Sequence, residues 1–218
     1  MSQNNWSHPL MAGLPIVGAD IEKRSHEMID EVLKPHFVSE KDKNEHSIKR
    51  RMIHATGDLE LISSIKIHPE ALERGIAALK KGAPIFCDVQ MLKAGMTHTP
   101  NPVLCSISDP EVIALSQKLK ITRAWAQIKL WEEKLQDSIV VIGNAPTAIW
   151  ALLEAYELRG VKPALVIGTP VGFVGASESK EALFQSELCF ITNLGSKGGS
   201  PMAASAFNAL AILARDHV

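Results

Sequence analysis

Apolar residues recur at roughly helical spacing through the first third of the chain. This pattern predicts helices over 20–33, 43–57 and 68–82, and a glycine ends the second and the third of them. In the first helix, the apolar residues at this spacing are Ile21, Met28, Ile29 and Val32. The chain is therefore expected to begin with a helical segment.

Short, continuous apolar runs follow. They lie at 84–89, 138–144, 163–170 and 188–193. Each of the last three runs precedes a turn rich in Gly or Pro and then a helical stretch, and 109–135 reads as one or two helices. Continuous apolar strands that alternate with helices indicate a parallel sheet covered on both faces. We predict an α/β fold, a three-layer α/β/α sandwich with a mainly parallel sheet and an N-terminal helical segment, forming a single domain over 1–218.

Composition narrows the classes of function. The 218 residues are 46% hydrophobic and 22% charged, a mixture typical of one globular domain. The net charge of −1 creates no global field that would recruit nucleic acid or an anionic membrane. We find no secretory leader and no apolar run of 18 residues, so no membrane partner is expected. Three scattered cysteines indicate reduced thiols and a cytoplasmic location.

Three turns that follow predicted strands are candidate sites for an anionic ligand. They span 143–148, 168–179 and 193–203, and each opens a helix, whose N-terminal N–H groups favour anions. Ligands of open parallel sheets bind at this carboxyl edge. The alternative is that the glycines and prolines only make tight turns. A nucleotide fingerprint, a G-x-S-x-G nucleophile elbow and zinc-ligand spacing are all missing, so we predict no metal site.

The stretch "RRMIHATGD" (50–58) places two arginines beside His54. Neighbouring cations oppose the protonation of a histidine. Either these cations serve a bound anion, or the stretch is a solvated helix surface.

Six stretches, taken in order, carry a more specific signal. They are "IEKRSHEMI" (21–29), "RRMIHATGD" (50–58), "GAPIFCDVQMLKAG" (82–95), "GNAPTA" (143–148), "PALVIGTPVGFVGASESKEAL" (163–183) and "GGSPMAASAFNAL" (199–210). Together they cover nearly the whole chain, and they resemble the precorrin-8X methylmutase (precorrin isomerase) family of cobalamin (vitamin B12) biosynthesis.

The resemblance implies a methyl migration on a macrocyclic tetrapyrrole. The methyl moves from ring carbon 11 to ring carbon 12, giving hydrogenobyrinic acid from precorrin-8X or cobyrinic acid from cobalt-precorrin-8. It also implies that the protein needs no cofactor, forms a homodimer and hands its product to neighbouring cobalamin-pathway enzymes. The sequence does not decide whether the substrate carries cobalt.

The resemblance also assigns roles to residues. It makes His54 the general acid, with Arg51 as the family arginine three residues before it, while Arg50 is expected to point elsewhere. Bound substrate carboxylates would then favour the imidazolium form of His54. The expected substrate contacts are Arg24, Ser25, Arg51, Asp88, Thr97, Arg123, Asn144, Pro146, Thr147, Gly172, Phe173, Gly199 and Ser200.

Several of these residues keep a second interpretation. Ser25 is otherwise an exposed helix serine, and Asp88 is either a polar wall residue or the cap of the helix that follows it. Glu178 and Lys180 belong either to the site or to an exposed helix start.

Two other functions compete with the methylmutase. A non-catalytic tetrapyrrole carrier would need no acid at His54. A sugar-phosphate or nucleotide enzyme would need a phosphate fingerprint, which the sequence lacks.

Overall fold

The computed structural model describes residues 17–36 and 40–216. Two helices, α1 (Gly18–Leu33) and α2 (Glu40–Thr56), come first, and strands and helices then alternate except where α6 follows α5. The remaining elements are, in order, β1 (Ile65–Ile67), α3 (Ala71–Lys80), β2 (Ile85–Cys87), α4 (Gln90–Gly95), β3 (Val103–Leu104), α5 (Pro110–Leu119), α6 (Arg123–Trp131), β4 (Ile139–Ile142), α7 (Pro146–Arg159), β5 (Leu165–Gly168), α8 (Ala176–Gln185), β6 (Phe190–Asn193) and α9 (Ser200–Asp216).

The six strands form one sheet in the order β1-β6-β5-β4-β2-β3. The pairs β3–β2, β2–β4, β4–β5 and β5–β6 are parallel, whereas β1 is antiparallel to β6. The four strands predicted from apolar runs are all present. The edge strands β1 and β3 were not predicted, because they have three and two residues and neither lies in a continuous apolar run.

Alternate residues of the strands contribute to two separate hydrophobic cores. Ile139 and Val141 of β4 pack into the core beneath α2, α3, α4 and α9, while Val140 and Ile142 pack into the core shared with α6, α7 and α8. Helices therefore cover both faces of the sheet, which confirms the three-layer α/β/α sandwich. No helix in the described parts of the chain is long and apolar enough to cross a bilayer.

The segment 109–135 was predicted as one or two helices, and it forms two, because Lys120 adopts a left-handed φ of 54° that ends α5 and Thr122 caps α6. One boundary differs more clearly from the prediction. The helix expected over 68–82 is shorter, Ala71–Lys80.

The apolar face of α1 is largely uncovered. Ile29 and Leu33 are buried, but Ile21, Met28 and Val32 are exposed, Met28 by 64%. Helical spacing located these residues correctly without revealing which of them would meet the rest of the chain.

Candidate active site

Helices α1 and α2 bring Ser25 and His54 together. The Ser25 Oγ lies 2.9 Å from the His54 Nδ1, across 29 residues of sequence. A hydroxyl donates or accepts, so Ser25 can bind the imidazole in its neutral and in its protonated form. His54 is exposed and lies in the last turn of α2. Because the contact with Ser25 uses Nδ1, the Nε2 atom can face a ligand.

A second histidine lies against this pair. The ring centroids of His26 and His54 are 5.1 Å apart in an edge-to-face arrangement. Burial lowers the pKa of His26, and the positive charge of Arg50 and the nearby His54 lower it further. His26 is thus a neutral neighbour for His54 near pH 7. Sequence reasoning quoted its stretch but did not single it out, since its position only becomes meaningful when α1 lies on α2.

The two arginines of the stretch 50–58 have different partners. The Arg50 Nη1 donates to the Asp30 Oδ2 of α1 at 3.0 Å, so its guanidinium ties the two helices together. The Arg51 Nη1 lies 3.7 Å from the Glu22 Oε1. Arg50 therefore points to Asp30, whereas Arg51, 34% exposed, makes only this longer contact with an exposed carboxylate. Arg24, on α1, is exposed.

Asp88 is buried and binds a turn of the protein itself. Its Oδ1 accepts from the Gly143 N–H at 3.1 Å, and its Oδ2 accepts from the N–H groups of Asn144 and Ala145 at 2.8 and 2.7 Å. Burial raises the pKa of Asp88, while these three donors oppose the rise. The anion at this turn is therefore the protein's own carboxylate.

Both expectations for Asp88 are corrected by this geometry. Helix α4 starts at Gln90 with Val89 as its N-cap and no side-chain cap, so Asp88 does not cap it. Its side chain is 1% exposed and both oxygens are engaged, so it shapes the wall of the site from behind rather than facing a ligand.

The same turn meets the start of α6. Thr147, in the first turn of α7 after Pro146, has its Oγ1 2.7 Å from the Thr122 Oγ1. Thr122 is the N-cap of α6, so exposed Arg123 lies next to this contact. Asn144 is exposed at the tip of the turn.

The other two turns contact each other. The Gly172 N–H donates to the Ser196 carbonyl at 3.1 Å, and the Gly199 N–H donates to the Thr169 carbonyl at 2.7 Å. Gly198 permits this approach, because a Cβ there would lie 2.3 Å from the Thr169 oxygen.

These turns also approach the first one. A Cβ at Gly143 would lie 2.7 Å from the Cα of Ser200, the first residue of α9. All three turns therefore adjoin at the carboxyl edge of the sheet. Phe173, fully exposed, and Val174 project from this edge as apolar side chains.

Thr97 lies apart from these turns, whereas Lys180 is buried beneath the third turn, where the Lys197 carbonyl accepts from its Nζ. The Thr97 N–H donates to the Asn208 Oδ1 of α9 at 3.1 Å, about two helical turns beyond Ser200. Lys180 is completely buried, which rules out an exposed helix start, whereas Glu178 is exposed. Within the described residues, no cluster of three or more His, Cys, Asp or Glu side chains is arranged to hold a metal ion.

Comparison with known proteins agrees with the resemblance seen in the motifs. A model of the precorrin-8X methylmutase family matches residues 20–213. A cobalt-precorrin-8 methylmutase of Leptospira interrogans is 41% identical over 210 residues, covering 90% of this chain and 94% of the relative. A precorrin-8X methylmutase of Pseudomonas aeruginosa is 44% identical over 167 residues, covering 74% of this chain and 80% of the relative.

A solved structure gives the same result. The precorrin-8X methylmutase of Thermus thermophilus superposes with a TM-score of 0.80 at 37% identity, covering 90% of this chain and 98% of that one. Fold, motifs and relatives thus agree over nearly the whole chain, which belongs to the precorrin-8X methylmutase family.

Proposed function

We propose that the protein is an isomerase of cobalamin biosynthesis that moves a methyl group from ring carbon 11 to ring carbon 12 of precorrin-8X or cobalt-precorrin-8. The relatives include proteins named for each of the two substrates, so the cobalt content of the substrate stays open. The observation that carries the proposal is the bond between Ser25 and His54 on an exposed helix surface. The reaction is intramolecular and leaves the oxidation level unchanged, so it needs no cofactor. We place the enzyme in the cytoplasm, where it hands its product to the next cobalamin-pathway enzymes.

His54 acts as the proton donor in this proposal. The imidazolium donates its Nδ1–H to the Ser25 Oγ and directs its Nε2–H to the conjugated ring system. Protonation draws electron density from the ring and eases migration of the methyl group. The proton then returns from the ring to the His54 imidazole, so substrate and product remain isomers. A positioned general acid contributes about 10²- to 10⁴-fold to a rate.

Arginines near the edge of the site bind the substrate carboxylates. Arg51 and Arg24 lie on the helices that hold His54, and Arg123 starts α6 beside the 143–148 turn. A planar guanidinium binds a carboxylate through two parallel hydrogen bonds. The acetate and propionate groups around the ring would also offset the cations that oppose protonation of His54.

The site is completed by a second copy of the chain. A flat macrocycle needs more cover than one sheet edge provides, and the exposed strip Ile21, Met28 and Val32 lies on the helix that carries Ser25. Burial of this strip in a homodimer would remove apolar surface from water. Sedimentation should show a dimer that Met28→Glu dissociates, while Leu158→Glu, at a similarly exposed position of α7, should leave it intact. A wild-type monomer at working concentration would contradict the dimer.

The function is tested by visible spectra of precorrin-8X and of cobalt-precorrin-8 mixed with the wild type and with His54→Ala. Conversion by the wild type, with binding but no conversion by the variant, would support both the methylmutase and the acid. Preference for one substrate would assign the pathway branch. Binding without conversion by either protein would make it a tetrapyrrole carrier, and conversion by both would remove the acid role of His54.

A further inference from the structure

Lys197 lies in the middle of the loop 194–199, which connects β6 to α9. Its carbonyl accepts from two side chains, the Asn193 Nδ2 at 2.8 Å and the Nζ of buried Lys180. Lys180 is 0% exposed, and burial lowers its pKa to about 8. A buried ammonium needs a hydrogen-bond acceptor, so this contact holds the backbone of the loop at one point.

The side chain of Lys197 is held as well. Its Nζ lies 2.6 Å from the Asp58 Oδ2 and 2.7 Å from the Glu60 Oε2. Asp58 lies two residues after the end of α2 and four after His54, and its Oδ1 accepts from the Glu60 N–H at 3.0 Å. The ammonium therefore binds the turn that ends the helix of His54.

The loop itself borders the rest of the site. Ser196 accepts from Gly172, and Gly199 donates to Thr169, so the loop also holds the turn that carries Phe173. Lys197 is thus the point at which the His54 side of the site is joined to the loops at the carboxyl edge of the sheet.

We propose that Lys197 is a positioning residue, which sets the distance between His54 and the loops that surround the substrate ring. This inference rests on the proposed acid role of His54. The stretch "GSKGGS" would suggest instead that Lys197 binds a substrate anion. The structure shows its ammonium already neutralised by two carboxylates of the protein. A displacement of about 1 Å between reacting groups costs about 10²-fold in rate, whereas an exposed ion pair contributes little to stability.

The test compares Lys197→Met, which removes the ammonium, with Lys197→Arg, which keeps the charge. Lys162→Met is the matched control, because Lys162 is also half-exposed and forms an ion pair with Glu187, at 3.8 Å. Lys197→Met should lower kcat at least tenfold with KM changed less than twofold. Lys197→Arg should return kcat to within about threefold of the wild type, and the control should match the wild type. A raised KM with unchanged kcat would show that Lys197 binds the substrate and overturn the proposal.

A second measurement needs no substrate. Hydrogen–deuterium exchange of the backbone amides of 194–199 should be at least fivefold faster in Lys197→Met than in the wild type. The double variant with Asp58→Asn should exchange no faster than Lys197→Met alone. Unchanged exchange would overturn the proposal, because the ion pair would then not hold the loop. This exchange rate does not depend on turnover. It therefore tests the positioning role of Lys197 separately from the acid role of His54, which the activity of His54→Ala tests.

Discussion

Asp88→Ala removes the acceptor of three backbone N–H groups, those of Gly143, Asn144 and Ala145. A hydrogen bond to a charged group contributes about 1.5–3 kcal/mol, and an unsatisfied buried donor costs about 1–3 kcal/mol. Asn144 is exposed, so water can satisfy its N–H, and the N–H groups of Gly143 and Ala145 account for most of the lost stability. Removal of the buried charge offsets part of this loss. We expect the free energy of unfolding to fall by about 2–4 kcal/mol.

Two further variants make this prediction sharper. Asp88→Asn keeps one acceptor oxygen but turns an NH2 group towards a backbone donor, so it should cost about half as much as Asp88→Ala. Asp109 lies at the N-cap of α5 without a side-chain cap bond, so Asp109→Ala should change stability by less than about 0.5 kcal/mol. Urea unfolding at pH 7 measures all three. A loss below about 1 kcal/mol for Asp88→Ala, or equal losses at positions 88 and 109, would refute the reasoning.

Three more outcomes are expected. Lys180 has its pKa lowered to about 8 by burial, below the ordinary 10.5, so the unfolded chain binds more protons between these values. Urea stability should therefore rise with pH in this window, by at most about 1.4 kcal/mol per unit, and Lys180→Met should abolish the rise; equal slopes would contradict this. A hydrogen bond from the Cys87 thiol lowers the pKa of Cys105 to about 7, whereas burial raises the pKa of Cys189 to about 11. Mass spectrometry after treatment with iodoacetamide at pH 7.5 should therefore find Cys105 labelled first. Ser25→Ala should lower kcat about tenfold through loss of one hydrogen bond to His54, and an unchanged kcat would remove its role.

The architecture was predictable because it depends on local pattern. Continuous apolar runs followed by Gly-rich turns and helices specify parallel strands buried on both faces, and β2, β4, β5 and β6 lie where those runs lie. The strand β1 was missed because "IKI" is short and its Lys66 interrupts the apolar run. It becomes a strand through its antiparallel pairing with β6, a contact that no local window contains.

The candidate site was likewise predictable only in part. Motifs placed His54 and Ser25 correctly on helices, and the glycine turns at the ends of strands. The partner of each group depended on chain segments far apart in sequence: Ser25 meets His54 across 29 residues, and Lys197 meets Asp58 across 139.

The sequence by itself determined most of the helices, the four inner strands, the layer order and the family, because periodicity and motifs are local properties of the chain. Only the tertiary structure decided the use of each charge. Lys180 lies in the polar stretch "SESKE", yet the packing of α8 buries it. Asp88 directly follows the buried strand β2, and its carboxylate holds a turn 55 residues away. Whether a charged side chain meets solvent, a ligand or the backbone depends on which segments surround it, and folding brings those segments together from distant parts of the chain.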